Sequence, residues 1–252
     1  MSTRKPYFAG KFYPAGKAGL EQEIRNSFLG RFGPGKLPET SNKKIYGAVV
    51  PHAGYAYSGQ CAAHSYKAIA ESAKADTFIL LGTNHTIYAE SNFAISTQDF
   101  ETPLGIVKND REFSDLLISA KKTGFSVGET QDDKIAKEHE HSIEVQLPFL
   151  QFLFHSNLQI VPVICSSPDY EDCVEFAKCI DETAKKLKRK ICVIASGDFT
   201  HYGYAYGFMP FVSDIKKNLY GLDREAIDLI LKFKTKDFLD YSSKTTICGS
   251  AA

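Results

Sequence analysis

The chain has 252 residues, 43% of them hydrophobic and 24% charged, with thirty Lys plus Arg set against thirty Asp plus Glu. This is the composition of an ordinary globular protein, which excludes fibrous, collagen-like and intrinsically disordered classes. A formal net charge of +0 leaves no global field to draw in nucleic acid or an acidic membrane.

In chain order, the early positive charges at Arg4, Lys5, Lys11 and Lys17 are not followed by the apolar stretch of a secretory signal. Gly30 to Asn42, rich in glycine and proline, reads as a loop. Ile45 to Val50 is a predicted strand and Gln60 to Ala73 a predicted helix. Thr77 to Leu81 gives a second strand, and Phe93 to Ser96 a weaker third. Asp110 to Lys122 is helical, with Phe113, Leu116 and Leu117 on one face. Ile143, Leu147, Leu150 and Phe154 recur at helical spacing, and Pro148 must start or kink that helix. Leu158 to Ile164 is a strand, Tyr170 to Lys188 a helix, Ile191 to Ala195 a strand and Ser213 to Phe233 a last helix. The alternation predicts a single α/β domain over residues 1–252, with a mainly parallel central sheet and helices on both faces. No apolar run approaches the roughly 20 residues of a membrane span. The expectation is a soluble, cytoplasmic protein with no membrane insertion and no nucleic-acid partner.

The turns directly after the buried strands carry the functional signal. Val49-Val50 runs into Pro51-His52-Ala53-Gly54, Leu80-Leu81 into Gly82-Thr83-Asn84-His85, and Ile194-Ala195 into Ser196-Gly197-Asp198-Phe199-Thr200-His201. Ligands of open α/β sheets bind beyond the carboxyl ends of the strands, and three separate ends each deliver a histidine there. Taken alone, each is a turn residue bonded to nearby backbone; together they make a metal-binding rim. Imidazoles with a thiolate or carboxylate suit iron, zinc or copper rather than magnesium or calcium. Asp198, three residues before His201, is placed to cap the turn, to orient that ring or to accept its proton. His139 and His141 are two apart, so at most one of them faces a site unless that segment is extended. His64 reads as a helix-face residue and His155 as a helix-end residue. Tyr55, Tyr57, Tyr202, Tyr204 and Tyr206 come just after the histidine motifs; they read as loop-packing residues with hydroxyls in water, or else as a pocket lining for a planar ligand. The six cysteines form no CxxC pair, so most read as small buried hydrophobes and a disulfide scaffold is not expected. Lys185 to Lys190 reads as a solvated helix terminus.

Several motifs in order resemble the Memo family: Ala9-Gly10-Lys11-Phe12-Tyr13-Pro14, Pro51-His52-Ala53-Gly54-Tyr55, Gly82-Thr83-Asn84-His85, Glu140-His141-Ser142-Ile143-Glu144, Ser196-Gly197-Asp198-Phe199-Thr200-His201 and Thr246-Ile247-Cys248-Gly249. The prokaryotic branch of that family is AmmeMemoRadiSam system protein B, so the resemblance implies a functional link to a radical-SAM protein. It also implies a fold similar to the class III extradiol ring-cleavage dioxygenases. By resemblance, His52, His85 and Cys248 are metal ligands, and His141, Asp198 and His201 complete a catalytic pocket. The implied cofactor is iron, with copper and zinc as alternatives, and the implied activity is redox or oxygenase-like. The dioxygenases use a carboxylate where this pattern has a cysteine, so ring cleavage cannot be inherited from the fold. The alternatives are a non-catalytic binding or adaptor module of the phosphotyrosine-peptide type and a metal sequestration protein. A small aromatic or peptide ligand fits these readings. The family pattern continues beyond the Cys-Gly motif, so an end at Ala252 is read as truncated.

Overall fold

The computed structural model describes residues 3–39, 44–72, 75–86, 91–120, 127–128, 140–155 and 158–249. Its strands are Thr3–Arg4 (β1), Gly47–Val50 (β2), Thr77–Thr83 (β3), Phe93–Ile95 (β4), Asp99–Thr102 (β5), Gly105–Asn109 (β6), Val127–Gly128 (β7), Gln159–Cys165 (β8) and Ile191–Ser196 (β9). Its α-helices are Lys17–Leu29 (α1), Tyr55–Ala70 (α2), Arg111–Ser119 (α3), Leu147–Phe154 (α4), Tyr170–Leu187 (α5), Ile215–Leu231 (α6) and Thr235–Ser242 (α7).

Alternation of apolar side chains along the inner strands requires cover on both faces. Phe78 and Leu80 of β3, Ile160 and Ile164 of β8 and Cys192 and Ile194 of β9 enter one core. There they meet Leu20, Ile24 and Phe28 of α1, Ala63 and Tyr66 of α2, and Phe149 and Leu150 of α4. Tyr66 and Phe149 stack at a centroid distance of 4.7 Å. Ile79, Val161, Val163 and Cys165 point the other way, into a core closed by Phe113 and Leu117 of α3 and Phe176 and Ile180 of α5. The strands run in the order β1-β5-β6-β8-β3-β9-β2. Neighbours from β6 to β2 are parallel, while β5–β6 and β4–β8 are antiparallel. The mixed α/β class, the mostly parallel sheet and the helices around it agree with the sequence reading.

Pro162 lies inside β8, where a missing N–H is normally a defect. It is harmless here. One edge of β8 is shared, β6 pairing with Gln159 and Ile160 and β4 with Val163 to Cys165, and Pro162 falls at the changeover. Its carbonyl still accepts from Ser96 N at 3.1 Å.

Several elements differ from expectation. Helix α2 begins at Tyr55, five residues before the predicted start, and its expected end at Ala73 lies outside the described residues, as do Lys121 and Lys122 at the expected end of α3. Pro148 sits in the first turn of α4 and starts it, after a 3₁₀ turn over Glu144–Gln146. Helices α1 and α7, the short β1 and the β5–β6 hairpin are additions. In the basic run, Lys185 pairs with Asp181 on the surface, whereas Arg189 reaches the buried Asp110 at 3.0 Å.

One buried carboxylate fastens the start of the described chain. Glu144 and Arg4 form an ion pair with both side chains fully buried. Glu144 also accepts from Tyr7 N (3.2 Å), Phe8 N (2.9 Å) and the Tyr13 hydroxyl (2.6 Å). Helices α6 and α7 are held much less deeply, with Ala226 and Ser242 their buried residues. Among the described residues no helix is long and apolar enough to cross a membrane.

Candidate metal centre

Strands β3, β9 and β2 are neighbours and parallel, so their carboxyl ends open onto one rim. The residue after Pro51 is His52, buried at 2% exposure. His85 comes after β3, and Ser196, Asp198 and His201 lie along the end of β9. Two further segments are drawn onto this rim by close backbone approach. Ser142 donates to Thr83 O at 2.9 Å, and a Cβ on Gly82 would come within 2.6 Å of both Ser142 Oγ and Ile143 Cγ1. Glycine there lets the Glu140–Ile143 segment lie on β3. Gly249, at φ +85°, would put a Cβ 2.8 Å from Gly197 Cα and 2.9 Å from Ser196 O. That approach carries Cys248 to the rim, where its N–H donates to Asp198 O at 3.0 Å. Thr246 Oγ1 accepts from His201 N (3.0 Å) and donates to His201 O (2.5 Å).

Donor atoms from distant parts of the chain thus converge. Cys248 Sγ is 2.8 Å from His52 Nε2 and 3.4 Å from His85 Nε2. The ligating atoms of His52, His85 and Cys248 all lie within 4.8 Å of one another. Metal–nitrogen bonds of about 2.0–2.1 Å and metal–sulfur bonds of about 2.3 Å separate two tetrahedral ligands by about 3.5 Å. The residues present therefore fit a metal ion, with a small opening of the His52–Cys248 pair. The same spacing holds for His85, Glu140 and His141, and for Asp198, His201 and Cys248.

The hydrogen bonds fix which ring nitrogen is free. Ser196 Oγ spends its one proton on Ser142 O (2.6 Å) and accepts from Gln146 Nε2 (2.8 Å). Towards His52 Nδ1, 3.1 Å away, it can therefore only accept. His52 thus donates its Nδ1–H to Ser196 Oγ and turns Nε2 to the sulfur, the nitrogen that hydrogen-bonds Cys248 and that a metal ion would take over. Glu140 Oε1 accepts from His85 Nδ1 at 3.0 Å, and the Thr246 carbonyl from His201 Nδ1 at 3.0 Å. Outer partners of this kind orient metal-binding imidazoles.

The same contacts set the charge of each group. Burial raises the Cys248 thiol, but hydrogen bonds to His52 and His85 outweigh it and bring the thiol down to about 6. Burial opposes a charged His85, yet Cys248 and Glu140 on either side push it up to about 10. Glu140, itself disfavoured as an anion by burial, is held down at about 2 by His85. Burial lowers His141 to about 4 against the pull of Glu140, with His85 and His52 adding to the decrease. These contacts favour a thiolate beside an imidazolium, whose proton a cation can replace.

These groups open onto a cleft of about 450 Å³ lined by His52, His85, His141, Asp198 and His201 among others. All six residues singled out in the sequence lie together at this rim. The structure differs from the reading in detail. The ring of His201 is held by Thr246, while Asp198 accepts the backbone N–H of His52 at 2.9 Å. Tyr55 is a core residue whose hydroxyl donates to Val145 O, and the Tyr202 hydroxyl donates to Phe211 O. Tyr57 and Tyr206 do line the cleft. His139 lies outside the described residues. Glu140, Ser196 and Thr246 escape sequence reasoning; only the nearness of Glu140 to His141 could have flagged it.

Comparison with known proteins gives one consistent result. The family model described as Memo-like protein matches residues 4–252. A MEMO1 family protein of Methanopyrus kandleri is 42% identical over 201 residues, covering 79% of this chain and 69% of that protein. Relatives in Methanosarcina barkeri (38% over 248 residues) and Methanobrevibacter smithii (40% over 251) each match 98% of this chain, and 82% and 83% of their own lengths. The chain belongs to the Memo family.

Proposed function

We propose that the protein binds a single metal ion, iron in the first instance with copper or zinc as alternatives, through His52, His85 and Cys248. The observation that carries this reading is the convergence of two imidazole nitrogens and one sulfur within 4.8 Å. Two nitrogens and a thiolate select soft or borderline metals. When bound, iron or copper would supply electron transfer, and any of the three ions would supply open coordination positions for an oxygen-donor ligand. The chain's own groups do the rest. Glu140 and Ser196 hold the two rings in register. His201, its Nδ1–H committed to Thr246, offers Nε2 as the acid/base group at the cleft. Asp198 fixes the backbone at His52 and places negative charge beside the donors. His141, kept neutral by burial, positions the ligand. Redox or oxygenase-like turnover is the activity this set supports, in a cytoplasmic protein linked to a radical-SAM partner.

Anaerobic reconstitution with ferrous iron, followed by elemental analysis, should give one equivalent per chain. His52→Ala should lower affinity by roughly 10-fold to 100-fold or more, the range seen for weaker, outer-shell changes. No stoichiometric metal in the wild type, or an unaffected variant, removes the proposal. Oxygen uptake by the loaded protein separates turnover from sequestration.

A further inference from the structure

Above the donor atoms the cleft has walls that holding an ion does not require. Phe12 lies against His141 with centroids 4.5 Å apart, and Tyr206 meets His201 edge-on at 5.0 Å. Tyr57 and Tyr206 stand in the lining with 90% and 57% of their surface exposed. Exposed ring faces gain by covering a flat apolar partner. Charge is divided along the same cleft. Asp198, its side chain 18% exposed, is in the lining, and the Cys248 sulfur touches the lining residues His52 and His85. Lys11 is the one Lys or Arg in the lining, and it forms no ion pair with any described residue.

Lys11 is also held in place. It sits in a turn closed by Lys11 N to Phe8 O (3.0 Å) and Gly10 N to Tyr13 O (2.7 Å), and pinned to α2 by Tyr55 N to Phe12 O (2.8 Å). Glu144 grips this turn on both sides, at Phe8 N and at the Tyr13 hydroxyl. An uncompensated cation on a fixed turn, at the mouth of an aromatic cleft, is suited to an anion. A volume of about 450 Å³ admits a small molecule.

We propose that the cleft binds a small planar carboxylic acid, its flat body against Phe12, Tyr57 and Tyr206 and its carboxylate on Lys11. The far end of the ligand then points to His201 and the metal donors. This rests on the metal reading only for what that far end meets.

Calorimetric titration of the iron-reconstituted chain, with the metal content of every sample measured, tests it. The probes are 4-hydroxybenzoate and 4-hydroxybenzamide, alike in shape and different in charge. A charge-assisted contact predicts about tenfold tighter binding of the acid. Lys11→Met should abolish that preference without weakening the amide, and Lys11→Arg should keep it. Cyclohexanecarboxylate, charged but not flat, should bind at least fivefold more weakly than 4-hydroxybenzoate. No binding, equal binding of acid and amide, a preference that survives Lys11→Met, or undiminished binding of the cyclohexane acid overturns the proposal. So does tighter binding of a phosphotyrosyl peptide than of 4-hydroxybenzoate. A sample without stoichiometric metal that still prefers the acid supports it while removing the metal reading.

Discussion

The two sides of the candidate metal centre are held by different physics. On the histidine side, side chains anchor side chains. Glu140 and Ser196, exposed by 1% and 0%, brace the rings of His85 and His52, and the supporting strands lie between two packed cores. On the sulfur side, backbone holds backbone. Cys248 arrives after two helices with one buried residue each, and it is seated by the Thr246–His201 and Cys248–Asp198 bonds and the Gly197–Gly249 contact. Two donors are therefore set when the sheet forms, whereas the third depends on a local docking step that can open alone.

Three sets of substitutions would break or sharpen this contrast. The largest effect is expected for Glu140→Ala, which leaves the His85 N–H, the His85 ring N–H and the Ser142 N–H without their acceptor. One of these donors is buried and two are part-buried, so at up to about 1–3 kcal/mol each the loss of stability should reach about 3 kcal/mol by urea unfolding. Metal affinity, measured against a chromophoric chelator, should fall by roughly 10-fold to 100-fold as well. If only affinity fell, the histidine side would be no more deeply built than the sulfur side.

Next comes a paired truncation. Leu80→Ala, in the fully buried centre of β3, should cost about 2–5 kcal/mol. Leu229→Ala, on the half-buried α6, should cost less than about 1 kcal/mol. Equal midpoints in denaturant would show that α6 and the sheet unfold as equally tight parts.

A smaller global effect than that of Leu80→Ala is expected for Gly249→Ala. The added methyl meets Gly197 Cα and Ser196 O at under 3 Å, on a residue at positive φ. The strain should be relieved by lifting Cys248, at a cost of about 1–2 kcal/mol in stability. Metal affinity should nonetheless drop about tenfold or more, because one of three donors is displaced. Unchanged metal binding would mean the docking contact does not place the sulfur.

The parts of this molecule that can be read from the sequence are those written in local pattern. Buried strand runs ending in glycine turns and histidines locate His52, His85 and His201, and the alternation of elements indicates the α/β class. The rest depends on contacts made far along the chain. Helix α1 has its apolar residues at Leu20, Ile24 and Phe28, but it is flanked by charges and its N-cap is Gly16, with no side-chain cap. The β5–β6 hairpin buries Asp99, Thr102 and Asn109, which look like surface residues until their partners are known: Lys108 for Asp99, Gln151 for Thr102 and Ser114 for Asn109. Glu140 is the clearest case. A glutamate between two histidines reads as solvated, and nothing nearby announces that the strand end at His85 will close over it. Tyr55 reads wrongly for the same reason, its hydroxyl being satisfied by Val145 on a distant segment.

The grip of Glu144 on Arg4, Tyr7, Phe8 and Tyr13 has a practical consequence for handling the protein. Proteolysis before Tyr13 would not simply trim an end. It would strand a carboxylate in the interior without its guanidinium and take away the wall that carries Lys11 and Phe12. Purification schemes that cut before Tyr13 therefore risk material that lacks one wall of the cleft.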